Sequence, residues 1–570
     1  MPIRYLLALI ICTSIFFFVA CQNAPRQAML PRQTGTLADS AMVVSAHRLA
    51  SKAGLEVLKN GGNAIDAAIA VQFALAVVYP EAGNLGGGGF LVCRLASGEA
   101  AALDFREQAP EAAHRDMYLD KLGKPIDKRS TMGHLAVGVP GTVAGAVEAH
   151  KKYGKSSWAS LLQPAINLAE GGIVFETDVE PQKLNNEQVA FRQYNTRPCR
   201  FDKKTPWKMG DTLRQPELAQ TLRRVRDKGA AGFYEGATAD SIVQEMKRGN
   251  GILTHQDLLH YKAIWRKPLT GNYKEYGLIT MPPPSSGGVL LLQLLGMIDN
   301  KPFKENGFQH PKTVHYIAEA ERLAYADRAT HLGDPDFYPV PLEPLLKPSY
   351  IEQRAAKIDL QQATRSCNIT AGVFAKEGEQ TTHLSIIDQW GNAVAVTTTL
   401  NDSFGSRVVV GGAGFLLNNQ MDDFSAKPGT PNLYGLVGSD ANAIVPHKRM
   451  LSSMCPTIVT QNGNLFMVLG TPGGSTIITS VLQTFLNVSE YGFTMQEAVN
   501  APRFHCQWLP DTLFVEHDAL NANTRETLQK MGHFVVERKP IGRVDAILVR
   551  SDQKLEGGAD RRGEDTALGW

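Results

Sequence analysis

The chain has 570 residues, with 58 Lys and Arg against 56 Asp and Glu, a net charge of +2 and 43 % hydrophobic residues. This is the composition of a large globular body, and it excludes a nucleic-acid partner gripped by a basic surface, which would need runs of Lys and Arg. The 52 glycines and 31 prolines follow no period, so they read as tight turns and backbone-lined sites rather than low-complexity sequence.

In chain order, Arg4 precedes an apolar run over residues 6–20, too short to span a bilayer comfortably and placed as a secretory signal is. The run ends in Phe18-Val19-Ala20-Cys21, followed by Gln22. Small residues before a cysteine resemble a bacterial lipoprotein cleavage site, with Cys21 as the lipidated first residue. The plain alternative is ordinary signal cleavage near the same point, releasing a soluble periplasmic protein. Both readings make residues 1–21 a signal and place the protein in the periplasm, with an outer-membrane lipid anchor in the first. Residues 22–40, polar and carrying Pro25 and Pro31, read as a flexible tether.

Apolar spacing predicts a helix over 45–60, stopped by Gly61-Gly62, and a buried helix over 64–78 that is apolar on every side. Strands are predicted over 90–95 and 101–105. Helices follow over 141–152, 161–170, 216–228, 238–248, 289–297 and 314–325. Cys93, Cys199, Cys367, Cys455 and Cys506 are odd in number and widely spaced, without a C-x-x-C pair. They predict neither a disulfide framework nor a zinc site, though a Cys199–Cys367 bridge stays open. No H-E-x-x-H, Walker loop or G-x-S-x-G elbow appears, so no metal and no cofactor is expected.

Residues 360–380 break this order. They lack apolar periodicity, contain Gly372 and Gly378, and end in the polar run Lys376-Glu377-Gly378-Glu379-Gln380, which reads as an exposed, movable segment suited to cleavage. Next come Thr381-Thr382-His383-Leu384-Ser385-Ile386-Ile387-Asp388, the turn residues Gln389-Trp390-Gly391-Asn392, and good β-formers over 393–400. This is a hairpin pattern. Pairing symmetrical about Trp390 sets Thr381 opposite Thr399 on one face, with Cβ atoms about 4.5–5.5 Å apart. Cutting between Gln380 and Thr381 would put a hydroxyl and a free α-amine on one residue, a nucleophile with its own base.

Three later stretches mix polar groups into apolar surroundings: Leu417-Asn418-Asn419-Gln420-Met421-Asp422-Asp423-Phe424, Leu451-Ser452-Ser453-Met454-Cys455-Pro456, and Gly470-Thr471-Pro472-Gly473-Gly474-Ser475. The last offers two successive backbone N–H groups with no side chain to block approach, a natural oxyanion site. Singly, each also reads as an Asx turn, a polar strand end or a tight turn.

Together, in this order and spacing, they resemble the γ-glutamyltranspeptidases (glutathione hydrolases). Further landmarks are Gly61-Gly62-Asn63-Ala64-Ile65-Asp66, the glycines 86–89, Leu103-Asp104-Phe105-Arg106-Glu107, Pro282-Pro283-Pro284-Ser285-Ser286-Gly287-Gly288, Tyr325-Ala326-Asp327-Arg328 and Gly333-Asp334-Pro335-Asp336. The resemblance implies an α+β fold, the N-terminal nucleophile (Ntn) hydrolase αββα sandwich. It implies a precursor that cuts itself into a large subunit (41–380) and a small one (381–570), paired as a heterodimer in one body. It implies Thr381 as nucleophile, Thr399 as its hydroxyl partner, and Gly473 and Gly474 as oxyanion donors. Arg106, Ser452 and Ser453 would hold the α-carboxylate of a γ-glutamyl group, and Asn401, Gln420 and Asp423 its α-ammonium. Residues 427–443 resemble the family's lid loop, with Tyr434 as the gate. The implied donors are glutathione and related γ-glutamyl compounds, and the acceptors water, amino acids or dipeptides. A glutaryl-type cephalosporin acylase of the same fold and a non-cleaving, lipid-anchored binding protein are the competing readings. Arg407, where relatives commonly carry glycine, and Cys455, read as oxidation-sensitive beside the serine pair, depart from the pattern.

Overall fold

The computed structural model describes residues 32–195, 197, 199–369, 381–425, 427 and 438–570. The expectations for the signal segment and Cys21, for Gln380 and for Tyr434 lie outside the described residues.

Two seven-stranded antiparallel sheets stack between two layers of helices, the expected sandwich. One sheet runs, in spatial order, Thr566–Gly569, Met42–Ser45, Thr382–Ile387, Ala393–Thr399, Gly88–Arg94, Ala100–Phe105 and Ile264–Arg266. The other runs Thr36–Ala38, Leu555–Ala559, Asp545–Val549, Asn464–Gly470, Thr457–Gln461, Tyr276–Thr280 and Leu269–Tyr273. Residues before and after position 381 share both sheets, so that boundary divides the chain without dividing the body.

Strand alternation sorts side chains into the layers. Leu91, Cys93, Leu384 and Ile386 pack toward the helices Arg48–Lys59 and Ala64–Val78. Phe90, Val92, Ile387, Ala393 and Ala395 point the other way, into the core shared with Met467, Val468 and Ile458 of the facing sheet. Thr381, His383 and Ser385 have the parity of Ile387 and therefore belong to this inter-sheet face.

The Ala64–Val78 helix is buried along its whole length, as its unbroken apolar sequence predicts. Asn63 and Asp66 close a capping box at its start, and Asp66 also accepts from the backbone of Lys155 and Ser156. A second carboxylate reaches the same point: Asp388 Oδ2 accepts from Ala64 N at 2.9 Å, while Oδ1 takes the amides of Trp390 and Asn392. One side chain thus shapes the hairpin turn and fastens it to the buried helix.

Two expectations need correction, and one pairing left open is answered. The tether reading of 22–40 fails at its C-terminal end, where Thr36–Ala38 adds to the edge of the second sheet against Leu555–Ala559. Edge addition is held by main-chain hydrogen bonds, so it leaves little apolar signature to read. The movable reading of 360–380 fails for its first half: Ser366 is buried, accepts from Arg322 Nη1 and donates to Trp508 O. Cys199 and Cys367 are not bridged. The 314–325 helix is also longer than periodicity indicates, running Pro311–His331 with His310 as its cap and Pro311 at its first position.

Asp388→Ala removes four hydrogen bonds at a buried carboxylate, counting that from Asn392 Nδ2. A loss of about 2–4 kcal/mol is expected, read as a drop in the thermal unfolding midpoint relative to an exposed control such as Asp227→Ala.

Candidate active site

The hairpin pairs Thr382 with Thr398 and His383 with Thr397, the register symmetrical about Trp390. One step further, Thr381 stands opposite Thr399, and both are buried. They line a single cavity with Arg106, Asn401, Gln420, Asp423, Ser452, Ser453 and Gly474. Every expected site residue that the structure describes is therefore gathered there, except Gly473, which borders a second cleft on the other side of Thr381.

At the Thr381 end, Thr399 Oγ accepts from Asn401 N at 2.7 Å, which commits the Thr399 hydrogen to donation elsewhere. Asn401 holds this position with φ of 83°, a left-handed conformation that asparagine tolerates better than most residues. His383 is no general base. Burial pushes its imidazole down to about 3, and its two nitrogens bond Thr397 and Ser385. Its ring also explains Gly470, where a Cβ would come within 2.2 Å of it.

Gly473 and Gly474 have φ of 137° and 54°, and they immediately precede the Thr476–Ser489 helix. A Cβ on Gly473 would lie 2.4 Å from Thr476 Oγ, which donates to the Gly473 carbonyl. The glycines are required by that turn, and their amides lie at the positive end of a 14-residue helix, where negative charge is favoured.

The far end of the cavity carries charge. Arg106 is buried and ion-paired through Nη2 to Asp423, with Nε donating to Met450 O at 3.3 Å. The Asp423 side chain is only 9 % exposed, and burial raises its carboxyl while Arg106 pulls it back down. Gln420 Nε2 leans on Asp423 at 3.5 Å, and Gln420 Oε1 is buried without a hydrogen-bond donor among the described residues. Ser452 Oγ accepts from Met454 N, and Ser453 Oγ accepts from Arg328 Nη2 at 3.2 Å. A guanidinium, two hydroxyls, a carboxylate and an unsatisfied amide oxygen make a surface complementary to a carboxylate and an ammonium side by side.

The model of the gamma-glutamyltranspeptidase family matches residues 50–570, a range that contains all of these positions. The chain belongs to that family. It is 47 % identical over 530 residues to the glutathione hydrolase proenzyme of Escherichia coli K12, covering 93 % of this chain and 91 % of that one. It is 49 % identical over 513 residues to the glutathione hydrolase proenzyme of a Pseudomonas species, strain A14, covering 90 % and 89 %. Among solved structures, the cephalosporin acylase of Bacillus halodurans superposes with a TM-score of 0.82 at 26 % identity, covering 96 % of this chain and 99 % of that one.

Two departures from the family pattern have physical explanations. Arg407 sits at φ of 62°, the left-handed region that favours glycine, and ion pairs to Glu187 and Asp402 offset the strain. Cys455 is not a reactive thiol, which corrects the oxidation expectation. It is fully buried, and burial pushes it up to about 11.

The groups that hold the expected residues in place carry no functional signal of their own in the sequence. Arg328 and the 282–288 segment appear there only as landmarks, although Arg328 lines the cavity. Glu107 is a second such group. It is buried 3.6 Å from Arg106, neither of its oxygens has a hydrogen-bond donor among the described residues, and burial pushes it up to about 8. Between its ordinary value of 4.5 and about 8 the folded chain keeps a proton that the unfolded chain has lost, so stability falls as pH rises through that window. Glu107→Gln removes this dependence. The unfolding midpoint of the variant should therefore rise relative to the unaltered protein between about pH 5 and about pH 8. A constant difference across that range would contradict a protonated Glu107.

Proposed function

We propose that this protein is a self-processing γ-glutamyl hydrolase and transferase that acts on glutathione and related γ-glutamyl compounds. The observation that carries this reading is the charge pattern of the cavity. Arg106 and the serine pair form a carboxylate site, and Asp423 with Gln420 Oε1 forms an ammonium site, within one enclosure that ends at Thr381. That is the outline of an α-amino acid whose side-chain carbonyl reaches the threonine.

Breaking the bond before Thr381 turns an amide nitrogen into a free α-amine, with a pKa of about 7.7–8.0 against about 10.4 for lysine. Near neutral pH much of it can accept a proton. The amine takes the proton of Thr381 Oγ, and Oγ attacks the γ-carbonyl of the donor. The Gly473 and Gly474 amides stabilise the tetrahedral oxyanion. Collapse expels the amine of the leaving group, which receives the proton, and leaves a γ-glutamyl ester on Thr381. Water then releases glutamate, or the amine of an amino acid or dipeptide takes the acyl group. Thr399, opposite Thr381 and fixed by Asn401 N, orients the nucleophile. The relatives named as proenzymes support processing into subunits of about 41–380 and 381–570. Residues 4–21 of the sequence support export to the periplasm, with Cys21 as the lipid attachment point.

The likeness to the Bacillus halodurans cephalosporin acylase keeps acylase activity, of the glutaryl type, as the competing reading. A glutaryl group brings no ammonium, so Gln420 Oε1 would face it without a donor, which is costly in a buried site, and Asp423 would gain nothing beyond its pairing with Arg106. Comparing release from γ-glutamyl and glutaryl anilides decides between the two. The γ-glutamyl compound should have the higher kcat/KM by at least about tenfold, and preference for the glutaryl compound would refute the substrate class. Asp423→Asn should narrow that gap by raising KM for the γ-glutamyl donor. Thr399→Ala should slow both maturation and turnover, and unchanged rates would remove its assigned role.

A further inference from the structure

Arg328 is a buried cation to which the reaction proposed above gives no part. It lies on the Pro311–His331 helix, three residues after Tyr325, and its guanidinium is buried in the cavity wall. Among the described residues no carboxylate pairs with it. Its hydrogen bonds go to two hydroxyls, Ser286 Oγ at 2.9 Å and Ser453 Oγ at 3.2 Å, and Asp423 acts on it only from beyond bonding distance. Burial pushes it down to about 10, so it stays charged at neutral pH.

The two serines of the pair are held differently. Ser452 Oγ accepts from the backbone amide of Met454, its own close neighbour in sequence. Ser453 Oγ accepts from Arg328, 125 residues away. Each serine has one hydroxyl hydrogen and no other side-chain hydrogen bond among the described residues, so a fixed donor behind the oxygen turns that hydrogen toward the cavity. The circuit closes on itself: Ser286 Oγ accepts from Arg328 and donates to Ser452 O, and Ser286 N donates to the same carbonyl at 2.8 Å.

Counting charge at neutral pH, Arg106 and Arg328 are positive, Asp423 is negative, and Glu107, pushed up to about 8, is largely protonated. One positive charge is left over. Once Asp423 turns to a donor's ammonium, two guanidiniums face its carboxylate.

We propose that Arg328 is a positioning residue that makes the pocket select donors carrying an α-carboxylate, by turning the Ser453 hydroxyl toward that group and by supplying the uncompensated charge behind it. This rests on the γ-glutamyl reading above. The test uses the mature enzyme and two anilides, γ-glutamyl and 4-aminobutanoyl, the second identical except that the α-carboxylate is replaced by hydrogen. Arg328→Met should raise KM for the γ-glutamyl donor by about tenfold or more, keep kcat within about threefold, and shrink the preference over the 4-aminobutanoyl donor by the same factor as KM. Arg328→Lys, which keeps the charge but loses the two-pronged fork, should recover part of the loss. Equal losses on both donors, or an unchanged KM, would overturn the proposal. Should Arg328→Met fail to accumulate as folded protein, the cycle of Arg328→Lys, Ser453→Ala and the double variant carries the test. Coupled effects on KM are expected, and additive ones would contradict action through Ser453. An unaltered enzyme that turns over neither donor ends the γ-glutamyl reading itself. Turnover of the γ-glutamyl donor with the preference intact in the variants ends only the role of Arg328.

Discussion

The pairing of Thr382–Ile387 with Ala393–Thr399 is the constraint on which the rest depends. Side chains alternate along a strand, so a slip of one residue would turn Thr381 from the inter-sheet face to the helix side and carry it away from Thr399. Several features prevent the slip. Leu384 and Ile386 bury toward the helices, Ile387 buries between the sheets, and Asp388 pins the turn to the start of the Ala64–Val78 helix. The register is thus fixed at the turn, far from the site, and read out at the open end, where a hydroxyl meets a hydroxyl.

The second determinant is a single helix that serves both ends of the reacting group. Tyr325 OH donates to the carbonyl of Ser475, next to Gly473 and Gly474, the proposed oxyanion donors, while Arg328 one turn later holds Ser453, in the proposed carboxylate site. Residues three apart lie on one helical face. The spacing between the charge anchor and the oxyanion donors is therefore set by rigid secondary structure rather than by loops. Asp327, on another side of the same helix, is ion-paired to Arg354 and keeps it from turning. In the proposed reaction a donor bound by its α-groups is presented to Thr381 at a distance the protein does not have to find anew each time, which is how positioning lowers a barrier.

Much of this was legible in the residues. A run of β-formers on either side of the Gln389-Trp390-Gly391-Asn392 turn indicated the hairpin and a register symmetrical about Trp390, and unbroken apolar sequence marked the buried Ala64–Val78 helix. Gly474, the serine pair and the amide-carboxylate run converge on one cavity, with Gly473 bordering the cleft on the other side of Thr381. What stayed hidden shares a cause. The Thr36–Ala38 strand is bound through its backbone, and main-chain hydrogen bonds leave no side-chain pattern. Arg328, Ser285 and Ser286 act by touching residues more than 100 positions away, so nothing in their local sequence announces it. Glu107 reads like one half of an exposed ion pair with Arg106 until burial of both is known. Short-range periodicity reveals elements, whereas long-range polar contacts appear only when the chain is folded.

The central claim is that the chain becomes a catalyst by converting one amide into an amine. It is tested most directly by following freshly made precursor over time, with intact mass and N-terminal sequence measured alongside hydrolysis of a γ-glutamyl anilide in the same samples. The account predicts that activity rises in proportion to a fragment beginning at Thr381. Full activity in samples whose polypeptide is still joined through that residue would contradict it.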